Sequence, residues 1–242
     1  MRFSAPRVAA ALALTLVASA AQAQTVDEII AKNLAAKGGT ATLKATTSVR
    51  TTGRGTMQGA EVSITSSSKR PYYVRNEMDM AGQKIVQGFD GDTLWMAMGT
   101  MPPQALPPGP QTDILKQNSQ LDSPLLDYQA KGTTIVLGEP ATEAGHKQHH
   151  LIVKPKTGPT MHYYIDAETN LESKMVIDVD DSGQKMTMEM RFSDFKSVEG
   201  RTVPFTVTQF VNGNQMGQMK FEKVEFNVPM DDSIFRLPKT GL

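Results

Sequence analysis

Residues 185–192, KMTMEMRF, carry methionine or phenylalanine at every second position, with lysine, threonine, glutamate and arginine between them. Alternation with a period of two is typical of a β-strand with one buried and one solvated face, because successive side chains point to opposite sides. This stretch therefore predicts a strand whose buried face carries Met186, Met188, Met190 and Phe192.

Similar alternation recurs upstream, in NEMDM at 76–80, in LWMAM at 94–98 and along residues 175–179. Methionine is unbranched and flexible, so it suits a surface that must fit variable apolar shapes, but it also fills gaps in ordinary cores. The pattern leaves two interpretations open, a pliable cavity or a filled core. In the cavity interpretation the lining residues are Met78, Met80, Leu94, Met96, Met98, Met175, Ile177, Met186, Met188, Met190 and Phe192.

Strand signals extend from about residue 46 to the C terminus, with an interruption in the middle of the chain. Gly, Asn and Asp separate the apolar runs at hairpin spacing, and Asn212-Gly213 is a strong two-residue turn signal. The proline-rich stretch 101–111 predicts a loop, because proline interrupts both helices and strand pairing. In the segment 113–129, the order Asp122-Ser123-Pro124 predicts one or two short helices over the sheet.

A short helix is predicted before the strands, with Thr25 as its N-cap and Gly38-Gly39 as its end. Its apolar stripe must pack on an apolar surface. A one-sided sheet with few helical residues to cover it is expected to curl and to leave a hollow. The residues predicted to form a lid over that hollow are Ile29, Ile30, Leu34, Ile114, Leu125 and Leu126.

Residues 1–23 have the features of a cleaved secretory signal: Arg2 and Arg7, an apolar run and a small-residue site at 21–23. Its removal changes the formal net charge from 0 to −2, because the segment contains two arginines and no acid. The chain has no cysteine, which excludes disulfides, thiolate metal sites and a lipidated cysteine. We predict one soluble domain at 24–242, located in the periplasm, with secretion as the alternative destination.

The composition and motifs argue against several classes of function. The near-neutral charge without a basic patch argues against nucleic acid as a partner. The sequence lacks a nucleophile elbow, a zinc-protease motif, a phosphate loop and a dinucleotide fingerprint. Asp90 and Asp92 flank Gly91 and predict a turn, as does MDDSIF at 230–235. No catalytic residue, metal ligand or cofactor is therefore predicted.

Two patterns resemble metal sites. DVDDSGQKMTME at 178–189 matches a calcium loop at several positions, but its flanks have strand periodicity and predict a hairpin instead of the helices such a loop needs. The four histidines lie at position 162 and in GHKQHHL at 145–151. His149 and His150 would point to opposite faces of a strand, and no carboxylate stands at a fixed spacing, so a zinc site is not predicted.

Segments in order along the chain resemble a known family: VDEIIAKNLAAKGG, LKATTSVRTTGRG, FDGDTLWM, YYIDAETNL, EGRTVPFTVTQ and FEKVEFNVPMDDSIFRLP. They are similar to the bacterial outer-membrane lipoprotein-sorting proteins related to the carriers LolA and LolB. The resemblance implies a mainly β (α+β) fold, a strongly curved antiparallel sheet forming an incomplete barrel, with a few helices as a lid over a hydrophobic cavity. It also implies an early arginine that ties down the lid, for which Arg50 and Arg54 are the candidates.

We therefore expect a non-enzymatic periplasmic protein that binds and transports lipid or lipoprotein acyl chains, driven by apolar burial. A protein of the inner or outer membrane is a further candidate partner. One alternative is an interaction or scaffold protein that docks a membrane-associated partner through the concave face or a sheet edge. Another is a hydrolase or isomerase of hydrophobic substrates that uses an unrecognised carboxylate or histidine.

Overall fold

The computed structural model describes residues 24–109, 121–181 and 184–239, of which most form β-strands. The predicted signal segment 1–23 and the lid residue Ile114 lie outside the described residues. The strands are β1 (Ser48–Met57), β2 (Ala60–Lys69), β3 (Tyr73–Met80), β4 (Gln83–Asp90), β5 (Leu94–Met98), β6 (Gln104–Ala105), β7 (Thr134–Leu137), β8 (Ala141–Glu143), β9 (His146–Lys154), β10 (Met161–Asp166), β11 (Glu172–Asp181), β12 (Gln184–Val198), β13 (Arg201–Val211) and β14 (Asn214–Phe226).

Among the described residues, two α-helices precede the first strand. Helix α1 (Val26–Ala36) begins at the predicted N-cap, where the Thr25 amide donates to the Glu28 carboxylate (2.9 Å) and the Thr25 hydroxyl accepts from the Glu28 amide (3.3 Å). This capping box satisfies amides that a helix start leaves without partners. Gly38 and Gly39 end α1 as predicted, and a second helix that was not predicted, α2 (Thr40–Lys44), follows them.

In the described part of the chain, all strands belong to one antiparallel sheet in the order β6-β5-β4-β3-β2-β1-β14-β13-β12-β11-β10-β9-β7, with β8 beside β9. Strands β1–β6 form a first wing and β7–β14 a second wing, and the wings join along a seam between β1 and β14. The edges β6 and β7 do not pair with each other, so the predicted incomplete barrel is confirmed.

Glycines at the seam let the two backbones approach closely. A Cβ atom on Gly55 would lie 1.9 Å from the carbonyl oxygen of Gln218, and one on Gly217 would meet the facing strand in the same way. The pairing register also shifts in β1 between Thr52 and Gly53. Bulges and strand glycines bend and twist a sheet, which places strong curvature at the seam.

Both predicted hairpins form. Asn212 and Gly213 have positive φ angles (49° and 77°) between β13 and β14, as a two-residue type I′ turn requires. Strands β11 and β12 pair from Lys174–Arg191 to Asp181–Gln184. The flanks of the calcium-like motif are therefore strands, whereas its residues 182–183 lie outside the described ranges.

The segment 121–132 corrects one prediction, because it forms turns where a short helix was expected. The amide of Leu125 donates to the Ser123 hydroxyl (3.3 Å), and Asp127 has a φ of 50°, a left-handed conformation that a right-handed helix cannot continue through. Residues 113–120 of the predicted helical segment lie outside the described part of the chain.

The proline-rich stretch corrects a second prediction. Gln104 and Ala105 lie between the prolines and, unlike proline, have backbone N–H groups. They pair with Met96 and Trp95 as the short edge strand β6. Edge strands tolerate neighbouring prolines, so the prediction of a loop throughout 101–111 was wrong at these two residues.

Candidate functional site

One face of the sheet carries all of the predicted lining residues, and we call it the inner face. Directly opposed residues of antiparallel strands point to the same side, so the strand register decides which residues share a face. A continuous row crosses the seam through such partners: Met80, Val62, Gly55, Met219, Val207 and Phe192. The methionines of both wings therefore belong to one apolar surface.

On the second wing this inner face is packed against the predicted lid. Met175 and Ile177 are buried, and Met188, Met190 and Phe192 pack partly buried against the same core cluster. Helix α1 and the segment 121–132 supply the covering side chains. The lid residues that lie in this cluster, all of them buried, are Ile29, Ile30, Leu34, Leu125 and Leu126.

On the first wing the inner face is more open. Leu94 is buried, whereas Met78, Met80, Met96 and Met98 are half-buried. Among the described residues, none of these five belongs to either of the two core clusters. The first wing thus offers half-exposed apolar surface in register with the covered methionines of the second wing.

Side chains near the C-terminal end of α1 tie it to the second wing. The Asn33 amide donates to the carbonyl of Asn170 (2.8 Å), and Lys37 forms an ion pair with Glu172 (2.6 Å). These contacts join α1 to the turn that leads from β10 into β11. They fix the helix by a few polar contacts at its C-terminal half, while its apolar stripe lies on the methionine face.

Arg70 links the segment 121–132 to the residues that follow helix α2. Its guanidinium donates two hydrogen bonds to the Asp122 carboxylate (2.5 and 2.6 Å) and one to the Thr46 carbonyl (2.6 Å). The hydrogen bonds to Asp122 raise the pKa of Arg70, and paired bonds of this kind are among the stronger polar contacts in proteins. We call the Arg70–Asp122 pair the latch, because Asp122 lies close to Leu125 and Leu126 in the chain.

The arginine candidates named from the family resemblance, Arg50 and Arg54, were wrong. In β1 they alternate with Val49 and Gly53, which lie on the inner face, so both point to the opposite, outer face. Arg54 is exposed and forms an ion pair with Glu222 (3.5 Å). Neither side chain therefore lies on the same face as the lid.

Two clefts lie beside the methionine face. The larger has a volume of about 830 Å³ and lies between the wings, with Arg70, Tyr72 and Phe89 on one side and Lys131 and Lys156 on the other. A single cleft bounded by both wings shows that the curved sheet brings them together. The smaller, of about 120 Å³, is bounded by α2 and the latch region. Neither is lined by a predicted lining residue, so those residues keep their role only as a proposal.

On the outer face of the first wing, the C-terminal segment covers a second core cluster of Val86, Trp95 and Ala97. The indole N–H of Trp95 donates to the Phe235 carbonyl (2.7 Å), and the Phe235 ring stacks on Tyr73 with centroids 5.3 Å apart. This segment contains a 3₁₀ helix at Asp232–Phe235, where a turn was predicted.

The acidic residues of the predicted Asp90–Asp92 turn and of the calcium-like motif make local contacts. The Asp90 carboxylate accepts hydrogen bonds from the amides of Asp92 (3.1 Å) and Thr93 (2.8 Å), which stabilises the predicted turn. Asp178 accepts from the Thr187 hydroxyl (2.7 Å), and Glu189 pairs with Arg191 (2.5 Å). In the described ranges, no group of three or more acidic or histidine side chains is placed to hold a metal ion.

The histidines divide between the faces as predicted. His149 lies opposite Ile165 on the inner face, where burial and Lys32 lower its pKa. His150 lies on the outer face, 2.9 Å from His162 (Nε2 to Nδ1) and stacked on Tyr164. Burial, followed by the neighbouring His162, lowers the pKa of His150.

Sequence reasoning missed the latch and the centre of the inner face. Arg70 and Asp122 are 52 positions apart, and no motif connects them. Met219 and Val207 lie in the continuous row across the seam, but register shifts in β1 and between Gln209 and Phe210 hide their alternation.

The fold is shared with solved structures of a lipoprotein-sorting protein domain, a LolA superfamily protein and a DUF1329 family protein. A domain of an outer membrane lipoprotein-sorting protein from Vibrio parahaemolyticus matches at a TM-score of 0.55 and 10% identity, over 86% of this chain and 94% of that one. A LolA superfamily protein from Nitrosomonas europaea matches at 0.55 and 14%, over 88% and 98%. A DUF1329 family protein from Desulfovibrio piger matches at 0.59 and 12%, over 88% and 98%.

At these identities the likeness shows the fold. No protein-family model and no curated protein sequence matches the chain. Within residues 24–109, 121–181 and 184–239, no helix has the length and apolar character needed to cross a bilayer.

Proposed function

We propose that this chain, which has the LolA-type fold, is a periplasmic carrier that binds acyl chains of lipids or lipoproteins on its inner face. The observation that supports this proposal is the continuous apolar row from Met80 to Phe192, in which Phe192 packs against the core cluster that contains the lid residues and Met80 is half-buried on the first wing. Cleavage of the signal at 1–23, the single domain at 24–242 and a non-enzymatic role are parts of the same proposal.

Binding occurs by exchange of apolar contacts. The lid residues on α1 and in 121–132 cover the second-wing methionines, so an acyl chain takes their place while the lid moves outward. Each methylene removed from water contributes about 0.8 kcal/mol. Methionine side chains adjust their rotamers to the chain's shape. The half-buried methionines of the first wing extend the surface and fit a second acyl chain or a longer one.

The experiment is capture of a fluorescent fatty acid by the double variant Met188→Glu/Met190→Glu. We expect its affinity to fall by about tenfold or more, because acyl methylenes would then lie against carboxylates that lose hydration. Ser193→Glu is the matched control, since Ser193 lies on the same strand but faces outward. Circular dichroism verifies the fold of each variant. Unchanged capture by a folded double variant contradicts acyl binding on the inner face.

A second candidate function is docking of a protein partner, favoured by the edge strand β7. Val136 and Leu137 are 44% and 45% exposed, and β7 pairs with β9 along one side only in the described part of the sheet. An exposed apolar edge can accept a further strand. Val136→Lys should weaken such docking and leave fatty-acid capture unchanged, which separates the two functions in a co-purification assay.

A further inference from the structure

The larger cleft has a chemistry distinct from that of the inner face. Its volume of about 830 Å³ falls within the usual range of small-molecule sites. Cationic side chains line the cleft: Arg70 on the first wing, Lys156 on the second wing and Lys131 in the segment 121–132. Asp122 is its one acidic lining residue among those described. The remaining lining is apolar or neutral.

Charge pairing within the cleft leaves positive charge in excess. The latch joins Asp122 to Arg70, so its carboxylate is already engaged. The described ion pairs include none to Lys131 or Lys156. The ammonium of Lys131 donates to the Ser123 carbonyl (3.1 Å), and burial, its largest influence, lowers its pKa. A partly desolvated ammonium of this kind is stabilised by an incoming anion.

The cleft is also connected to the inner face. Phe89 lines the cleft, and its register partners Leu94 and Val74 place it on the inner face of the first wing. A ligand with an acyl chain on the inner face could therefore extend a polar group into the cleft. The side chains there are long and cationic, and their N–H groups can donate hydrogen bonds to phosphate oxygens.

We propose that the cleft binds the phosphate of a phospholipid headgroup, held by Lys131 and Lys156, while the acyl chain of the same lipid lies on the inner face. This inference rests on the proposed acyl-chain binding and names its ligand class. The guanidinium of Arg70 can pair with phosphate as it does with carboxylate, so the phosphate competes with Asp122. Headgroup binding thereby breaks the latch and frees the segment that carries Leu125 and Leu126.

Isothermal titration calorimetry of the full chain with three probes tests the inference. The probes are dihexanoyl phosphatidylglycerol below its micelle concentration, the neutral dihexanoylglycerol and inorganic phosphate. We expect the wild type to bind the phospholipid most tightly. In Lys131→Gln/Lys156→Gln the phospholipid affinity should fall by about tenfold or more, while the affinity for dihexanoylglycerol stays constant. Lys154→Gln, an exposed lysine of β9 outside the cleft lining, is the control.

The outcomes separate this inference from the proposed function. Equal wild-type affinity for the phospholipid and the neutral lipid overturns the headgroup site and leaves acyl binding intact. Failure of both lipids to bind overturns acyl binding itself. Inorganic phosphate bound as tightly as the phospholipid assigns the cleft to a free anion and also overturns the headgroup site. If the double variant unfolds, the single variant Lys156→Gln, at an exposed position, is used instead. Its phospholipid affinity should also fall.

Discussion

At the scale of single residues, Gly55 shows how the seam depends on the absence of a side chain. A Cβ atom there would meet the Gln218 carbonyl at 1.9 Å, which is backbone and cannot move aside cheaply. We expect Gly55→Ala to lower the free energy of unfolding by about 2–3 kcal/mol. Urea denaturation measures it, with Ser63→Ala on the outer face of β2 as the control. A loss below that of the control would show that the seam tolerates a side chain.

His150 carries a prediction on pH. Burial, His162 and Lys174 lower its pKa, so the folded state binds its proton more weakly than the unfolded chain, whose histidine has a pKa of about 6.5. The unfolded state therefore takes up the proton first, and stability is lost as the pH falls below about 6.5. We expect the urea midpoint to drop between about pH 7.5 and about pH 5.5, and less so in His150→Gln. Identical profiles for the two proteins would contradict the prediction.

Which single residues could be predicted depended on how local their signal is. Alternation alone placed Met188, Met190 and Phe192 on one face, because a period of two is visible within a few residues. Alternation could not place Met219, because the pairing of its strand with β1 shifts register between Thr52 and Gly53. It also could not show that Gly55 lies directly opposite Met219. The lining role of the methionines stays a prediction, because burial by itself does not identify a ligand.

At the scale of elements, the segment 121–132 is expected to open when the latch is broken. The chain has no cysteine, so Leu125→Cys introduces a single thiol at a side chain that is fully buried. Adding Asp122→Asn removes one charged partner of the latch, and we expect the thiol to react with a maleimide about tenfold faster.

Val86→Cys, buried in the other core cluster, is the control for that experiment. Its reactivity should not change on adding Asp122→Asn, because the C-terminal segment that covers this cluster has no described contact with the latch. Equal acceleration at both positions would indicate general destabilisation and would contradict a local opening of the lid segment.

The elements were predictable where a local device defines them. The Thr25 capping box and the Asn212-Gly213 turn each depend only on residues close together in the sequence, and both are confirmed. The turns at 121–132 could not be predicted, because Pro124 after Asp122-Ser123 also suits a helix start. The left-handed conformation of Asp127 has no distinctive sequence signal. Helix α2 was missed because five residues after two glycines carry little periodicity.

At the scale of the whole molecule, a curved sheet with an apolar inner face was predictable, whereas its seam was not. The pairing of β1 with β14 joins the first strand to the last, for example Val49 with Phe226, and such a contact has no local pattern. The cleft between the wings depends on the same long-range geometry. Its cations, Lys131 and Lys156, lie in separate turns and come together only in the folded chain.

Native mass spectrometry of the protein purified gently from a Gram-negative periplasm tests directly whether the inner face binds a lipid. We expect the chain without residues 1–23 together with an adduct of phospholipid mass. The adduct should diminish in Met188→Glu/Met190→Glu and persist in Ser193→Glu. A bare chain mass from the wild type, accompanied by a stable protein partner, would contradict the carrier function and favour docking through β7.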